Sequence, residues 1–162
     1  MTLPLKPRRG GFLRPFGCAW FIREFLMGNG PGGTPVIDPN IGSPQADIFR
    51  HYKLALMLAT ALDRAVRTEE KRARREKRAI SPDNIDKLAK SYLSRMPYKA
   101  WGCRYHSFVV YFSNLKKLGW VEATNREETS EFQDHYLPAQ PRKFFRLTRA
   151  GREAGDKDWS NP

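Results

Sequence analysis

Cysteine is almost absent from this chain of 162 residues, with two copies, and histidine is nearly as rare, with three. Two thiols do not make a disulfide framework, so a reducing cytoplasm is the default compartment. Cys103-x-x-His106 has a spacing that a metal could use, but no second Cys or His pair completes a tetrahedral set, and His51 and His135 stand alone. No metal and no cofactor is expected. Long apolar runs are missing too: the longest covers residues 54 to 62, is interrupted by Thr60, and falls far short of the roughly 20 residues that span a bilayer. The first residues lack the apolar core of a signal peptide, because Pro4, Pro7, Arg8, Arg9 and Gly10 interrupt them. There is no G-x-S-x-G elbow, no phosphate-binding loop with Lys and Ser or Thr, and no dinucleotide fingerprint. The Gly-rich stretch Gly28-Asn29-Gly30-Pro31-Gly32-Gly33 reads as a loop, and helix-start electrostatics and exposure explain carboxylate pairs such as Asp83 with Asp86 and Glu127 with Glu128. An enzyme is the class with least support.

Acidic residues are also scarce relative to basic ones. Seventeen Asp and Glu face twenty-nine Lys and Arg, a formal +12, and the isoelectric point near 10.0 lies in the range of nucleic-acid-binding domains. The excess is uneven. Residues 1–20 carry four basic and no acidic side chains, residues 61–80 eight against four and residues 81–104 five against two, whereas residues 123–162 carry seven of each. The positive field therefore belongs to an N-terminal arm, a long helix and the approach to the helix after it, where phosphates would displace counterions and make binding salt-sensitive.

Hydrophobic spacing supplies the order of elements. Residues 1–16 read as a flexible basic arm, rich in Pro, Gly and Arg. Residues 17–80 carry a short helix over 18–27 with Trp20, Phe21, Phe25 and Leu26 to bury, a Gly/Pro-rich loop, and a long helix over 44–78. In that helix Ser43 is the expected cap and Pro44 the first-turn proline. Its apolar stripe is Ile48, Tyr52, Ala55, Leu56, Ala59, Leu62 and Val66. Beyond Val66 come strong helix formers, Arg67-Thr68-Glu69-Glu70-Lys71-Arg72-Ala73-Arg74-Arg75-Glu76-Lys77-Arg78, with i,i+4 pairs such as Glu70 with Arg74. This basic end is expected to project. It can lie along nucleic acid, remain a solvated extension, or, through the apolar first half of the helix, pair with a second copy in a homodimer.

The segment 81–155 is the most informative. Ser81-Pro82-Asp83 is a strong helix start, and Ile85, Leu88, Ala89, Tyr92, Leu93 and Met96 keep helical spacing until Pro97 stops it. After a turn at 97–102, Phe108, Phe112, Leu115 and Gly119 fall at i, i+4, i+7 and i+11. This pattern predicts a helix over about 105–118 that Gly119 ends. Val121 and Ala123 alternate with Glu122 and Thr124, and Phe145 and Leu147 with Phe144 and Arg146, which predicts a β-hairpin. Residues 156–162 read as a tail.

Two motifs in this segment, Phe112-x-x-Leu115-x-x-x-Gly119-Trp120-Val121 and Phe145-Arg146-Leu147-Thr148-Arg149-Ala150-Gly151, resemble the winged helix-turn-helix superfamily. The likeness is particularly to regulators of the MarR and PadR type, in the end of the recognition helix and the close of the second wing strand. The resemblance covers the chain from roughly Ser81 onward. It implies a mainly α fold with a small β-hairpin wing, here with an elongated basic helix. It also implies a double-stranded DNA-binding protein, a regulator of transcription or a factor of a mobile element, and the scarcity of cysteine makes the cytoplasm its expected location.

With Phe108, Phe112 and Leu115 inward, Arg104, His106, Ser107, Val110, Tyr111 and Asn114 are left for the outward face. Arg104, His106, Ser107, Tyr111 and Asn114 are the base-reading candidates, since Arg suits guanine, Asn adenine, and Ser or His either bases or phosphate. Val110 could meet a thymine methyl or pack on protein. Phosphate-contact candidates are Arg8, Arg9, Arg72, Arg74, Arg75, Lys99, Lys117, Arg142, Lys143 and Arg146. The wing loop is acidic, with Glu127, Glu128, Glu131 and Asp134 against Arg126, so its tip is expected to avoid phosphate. That loop keeps a second reading open, an adaptor that binds structured RNA or a protein.

Overall fold

The computed structural model describes residues 17–98, 104–129 and 141–162. The helices are α1 (Cys18–Leu26), α2 (Gln45–Glu76), α3 (Pro82–Arg95), α4 (Tyr105–Lys117), α5 (Arg149–Glu153) and α6 (Asp156–Ser160), and the strands are β1 (Ser43–Pro44), β2 (Val121–Thr129) and β3 (Pro141–Leu147). The fold is thus mainly helical with a small antiparallel sheet. Two compact units divide the chain, one of residues 17–52 and 103–162, the other built on 53–102, and the division falls inside α2. The two helices expected to form the helix-turn-helix, α3 and α4, belong to different units. The arm and the tip of the wing loop lie outside the described residues.

The first unit is organised by aromatic rings. In α1, Cys18, Phe21, Ile22, Phe25 and Leu26 recur at i, i+3, i+4, i+7 and i+8, and all five are buried. Phe21 meets Tyr52 of α2 at 5.1 Å between ring centres. Phe49 meets Phe108 of α4 at 5.4 Å, Phe108 stacks on Phe112 at 5.8 Å, and Phe112 meets the edge of Phe145 at 5.2 Å. Contacts of this kind contribute about 0.5–1.5 kcal/mol each beyond their area. They link α1, α2, α4 and the sheet in one core.

The sheet has the order β1-β3-β2. β1 departs from what local spacing predicts. Instead of capping and opening α2, Ser43 and Pro44 pair with Phe145 and Phe144, and the helix begins one residue later, at Gln45. Gly42 allows this approach, because its φ is +77° and a Cβ there would stand 1.9 Å from the Phe145 carbonyl oxygen. The β2–β3 pair runs from Val121 opposite Leu147 to Thr129 opposite Pro141, longer than its alternation suggests, with a register shift between Ala123 and Glu127. Val121 and Leu147 are buried as expected, but Ala123 is exposed and Phe144 is buried. Both faces of β3 are covered: Arg126 lies over the Phe144 ring, whereas Phe112 and Lys116 of α4 approach Phe145.

Residues 156–162 are not a free tail. α6 sets a buried Trp159 against Trp120, 4.8 Å between ring centres. The Trp159 indole N–H donates to the Gly151 carbonyl at 2.9 Å, and Arg23 of α1 pairs with Asp156 at 2.6 Å.

In the second unit, Ser81 caps α3 by accepting the Asn84 N–H at 3.3 Å. The second half of α2 is tied to α3 rather than left as a fraying extension. Thr68 and Tyr92 share a hydrogen bond at 2.9 Å, and Glu69 accepts from Asn84 at 3.4 Å. The buried stripe here is Ala61, Ala65, Glu69 and Ala73, whereas Leu62 of the expected stripe is exposed. α2 stops with Lys77 at φ +54° and the Arg78 N–H bonded back to the Ala73 carbonyl, a left-handed cap made without glycine. Beyond that cap the Arg78 guanidinium reaches back to Glu69 at 2.5 Å.

Candidate nucleic-acid interface

Residues 53–102 hold thirteen basic and six acidic side chains, whereas residues 17–52 and 103–162 together hold twelve and eleven. The field that would attract phosphate is therefore concentrated in the α2–α3 unit. Within α2, Arg64, Arg67, Lys71 and Arg74 recur at i, i+3, i+7 and i+10, with Arg75 beside them, and all five are exposed. At 100° per residue they occupy the side opposite Ala65, Glu69 and Ala73. Burial of that alanine and glutamate stripe is what turns the arginines outward. Asp63 pairs with Arg67 at 3.2 Å, and no salt bridge engages Lys71, Arg74 or Arg75 among the described residues. Residues 64 to 75 extend about 16 Å along the helix axis.

Arg74 and Arg75 were legible as candidates from the charge run. Arg72 is exposed but sits off this ridge, next to the buried stripe, and Arg64, Arg67 and Lys71 belong on it. Their helical spacing was the available signal.

The buried Glu69 holds the turn after the ridge. Hydrogen bonding from the Arg78 guanidinium keeps its carboxyl below the usual carboxylate range, with further support from the Asn84 side chain and the Ser81 N–H, against the opposing effect of burial. Arg78 is spent on this carboxylate and on Glu76, so it is a structural cation rather than one offered to a ligand.

In the other unit, α4 presents a coherent outward face. Phe108, Phe112 and Leu115 are fully buried, and His106, Ser107, Asn114 and Lys117 are exposed on the opposite side. Arg104 is exposed at the N-cap and Tyr111 is half-buried at the flank. Val110 lies between the polar residues and is 57% exposed. Lys116 and Lys117 in the last turn complement the helix dipole.

The candidates on the wing base divide. Lys143 is exposed. Arg142 is not a surface cation: it is buried and pairs with Asp47 at 2.6 Å, a fold contact between β3 and the start of α2. Arg146 is half-buried, pairs with Glu122 at 3.0 Å and donates to the Asn40 carbonyl at 3.4 Å, so its charge is largely engaged within the sheet. Arg8, Arg9, Lys99 and Cys103 lie outside the described residues, as do Glu131 and Asp134 of the acidic loop.

Among the described residues no group of three His, Cys, Asp or Glu side chains could hold a metal ion, and no helix is long and apolar enough to cross a membrane. No family model, no curated protein and no solved structure matches the chain.

Proposed function

We propose that this protein binds double-stranded DNA through a winged-helix type of domain, as a regulator of transcription or a factor of a mobile element. Two surfaces contribute separately. The ridge Arg64, Arg67, Lys71, Arg74 and Arg75 on α2 contacts phosphates without regard to sequence, and the outward face of α4 reads bases in the major groove through Arg104, His106, Ser107 and Asn114. The ridge carries this reading: five exposed cations lie on one helix face, and Lys71, Arg74 and Arg75 among them have no salt bridge within the described residues. Such a strip suits a polyanion.

The test is fluorescence anisotropy of the nuclease-treated protein against random duplex DNA, single-stranded DNA and structured RNA over a salt series. Duplex binding with a steep salt slope, followed by preference for one duplex at fixed salt, is the expected result. Negligible duplex binding at low salt beside tight RNA binding overturns it in favour of the adaptor reading, which the near-balanced charge of the α4 unit supports.

A further inference from the structure

Val110 is the apex of the outward face of α4. Successive residues turn by 100°, so Phe108 and Phe112 point about 160° away from it on either side. Both rings are fully buried, whereas Val110 is 57% exposed. His106 and Asn114 flank it one turn before and after, and Ser107 and Lys117 complete the surround, all of them exposed. A β-branched residue in mid-helix restricts its own rotamers and is a weaker helix former than Ala, Lys or Gln. At this position it also leaves an apolar side chain in water without the compensation of burial. Scattered exposed apolar residues are ordinary on a protein surface; what sets Val110 apart is its place at the centre of a helix face otherwise made of His106, Ser107, Asn114 and Lys117.

We infer that Val110 is a specificity-determining residue that packs on the 5-methyl group of a thymine. This rests on the duplex-binding reading above and deepens it. In the major groove the thymine methyl is the apolar feature that separates A·T from T·A and from both G·C orientations, and small aliphatic side chains recognise it by contact. Asn114 is the residue on the same face whose amide matches adenine N6 and N7. It follows Val110 by about 6 Å along the helix axis, close to two base steps at about 3.4 Å each. The preferred site accordingly contains a thymine and an adenine no more than about two steps apart. His106, Ser107 and Lys117 border the valine with donors for phosphate or neighbouring bases.

The experiment begins with selection of a preferred duplex from a random library by the full chain. Each thymine in the selected site is then replaced singly by uracil, which removes the methyl group and leaves the pairing edge intact. At one or two positions the wild-type affinity should fall about fourfold, the effect of one methyl group returned to water. Val110→Ala, an exposed substitution whose fold is checked by circular dichroism, should bind thymine and uracil duplexes equally at those positions. A duplex bound with preference but without any methyl effect, or with the same effect in Val110→Ala, overturns the assignment of Val110 and leaves the duplex reading standing. Absence of duplex binding at low salt overturns both.

Discussion

Thr148 donates its hydroxyl hydrogen bond to the Gly119 carbonyl at 2.5 Å, while its own backbone N–H donates to the Trp120 carbonyl at 2.9 Å. The same hydroxyl oxygen accepts the Gly151 N–H at 3.0 Å and caps α5. One residue thus fastens the end of β3 to the end of α4, which explains in physical terms why the Leu147-Thr148-Arg149-Ala150-Gly151 segment answers the Gly119-Trp120-Val121 segment. Thr148→Ala should destabilise the α4 unit by about 1–2 kcal/mol, and Thr148→Ser should recover most of it. Chemical denaturation of the pair of variants decides this; equal stability of the alanine variant and the wild type would remove the fastening role.

Gly151 is the second half of that junction. A Cβ there would stand 2.3 Å from the Trp120 carbonyl oxygen, against backbone that cannot swing aside. Gly151→Ala should cost about 3 kcal/mol or more, well above the effect of Gly155→Ala, where no atom lies within 4 Å of the added Cβ. Melting curves of the two variants, compared side by side, provide the check.

Acid should weaken the protein in two ways, both of the same sign. The folded carboxyl of Glu69 sits below its ordinary value of 4.5 because Arg78 hydrogen-bonds to it, so its contribution is present above that value and is lost as pH falls through the lower folded value. His51, held below its ordinary 6.5 chiefly by burial, takes up its proton more readily when unfolded, so stability starts to decline as pH falls through about 6.5. Urea midpoints measured from slightly alkaline to strongly acidic buffer should therefore decline in two stages. Glu69→Gln should flatten the lower stage alone, and a lower stage unchanged in that variant would remove the role given to Glu69.

Electrostatic docking can be separated from base reading by salt. Replacing Arg74 and Arg75 together with Ala should weaken all duplexes alike and reduce the slope of log affinity against log salt by about 1.8, or roughly 0.9 for each phosphate no longer neutralised. Arg142→Ala should leave the slope where it was and lower stability instead, because its guanidinium belongs to Asp47. A slope that responds to Arg142 and ignores Arg74 and Arg75 would reverse the assignment.

Much of this was legible in the residues, and the failures share a cause. The boundaries of α1, α3 and α4 follow from local spacing and punctuation: Ser81-Pro82 opens α3, Pro97 forbids its continuation, and Gly119, with φ +74°, ends the turn after α4. What sequence spacing missed depends on partners far along the chain. β1 is two residues long and exists because β3 lies beside it, about a hundred positions later. Arg142 resembles its neighbour Lys143 in sequence, yet Asp47, 95 residues away, takes its charge. The first half of the expected α2 stripe, Ile48, Tyr52, Ala55 and Leu56, is buried, but its continuation through Leu62 and Val66 is not: large apolar side chains attract attention, whereas burial there falls on Ala61, Ala65, Glu69 and Ala73. α6 has one apolar anchor, Trp159, too little to create a period. On the candidate interface, the residues of α4 were legible because a helix with a defined core face leaves its other face by subtraction. The ridge on α2 was legible as charge but not as a line, since its direction is set by the buried side.

The two-residue strand at Ser43 and Pro44 has a further consequence for how copies of this chain meet one another. It forms one border of the sheet, and a proline there has no N–H to extend to a stranger's backbone. At the opposite border, β2 breaks register after Ala123 and carries the charges of Glu122 and Arg126. Both borders are thus poor templates for another strand. Concentrated solutions of the chain should therefore resist edge-to-edge joining of their sheets.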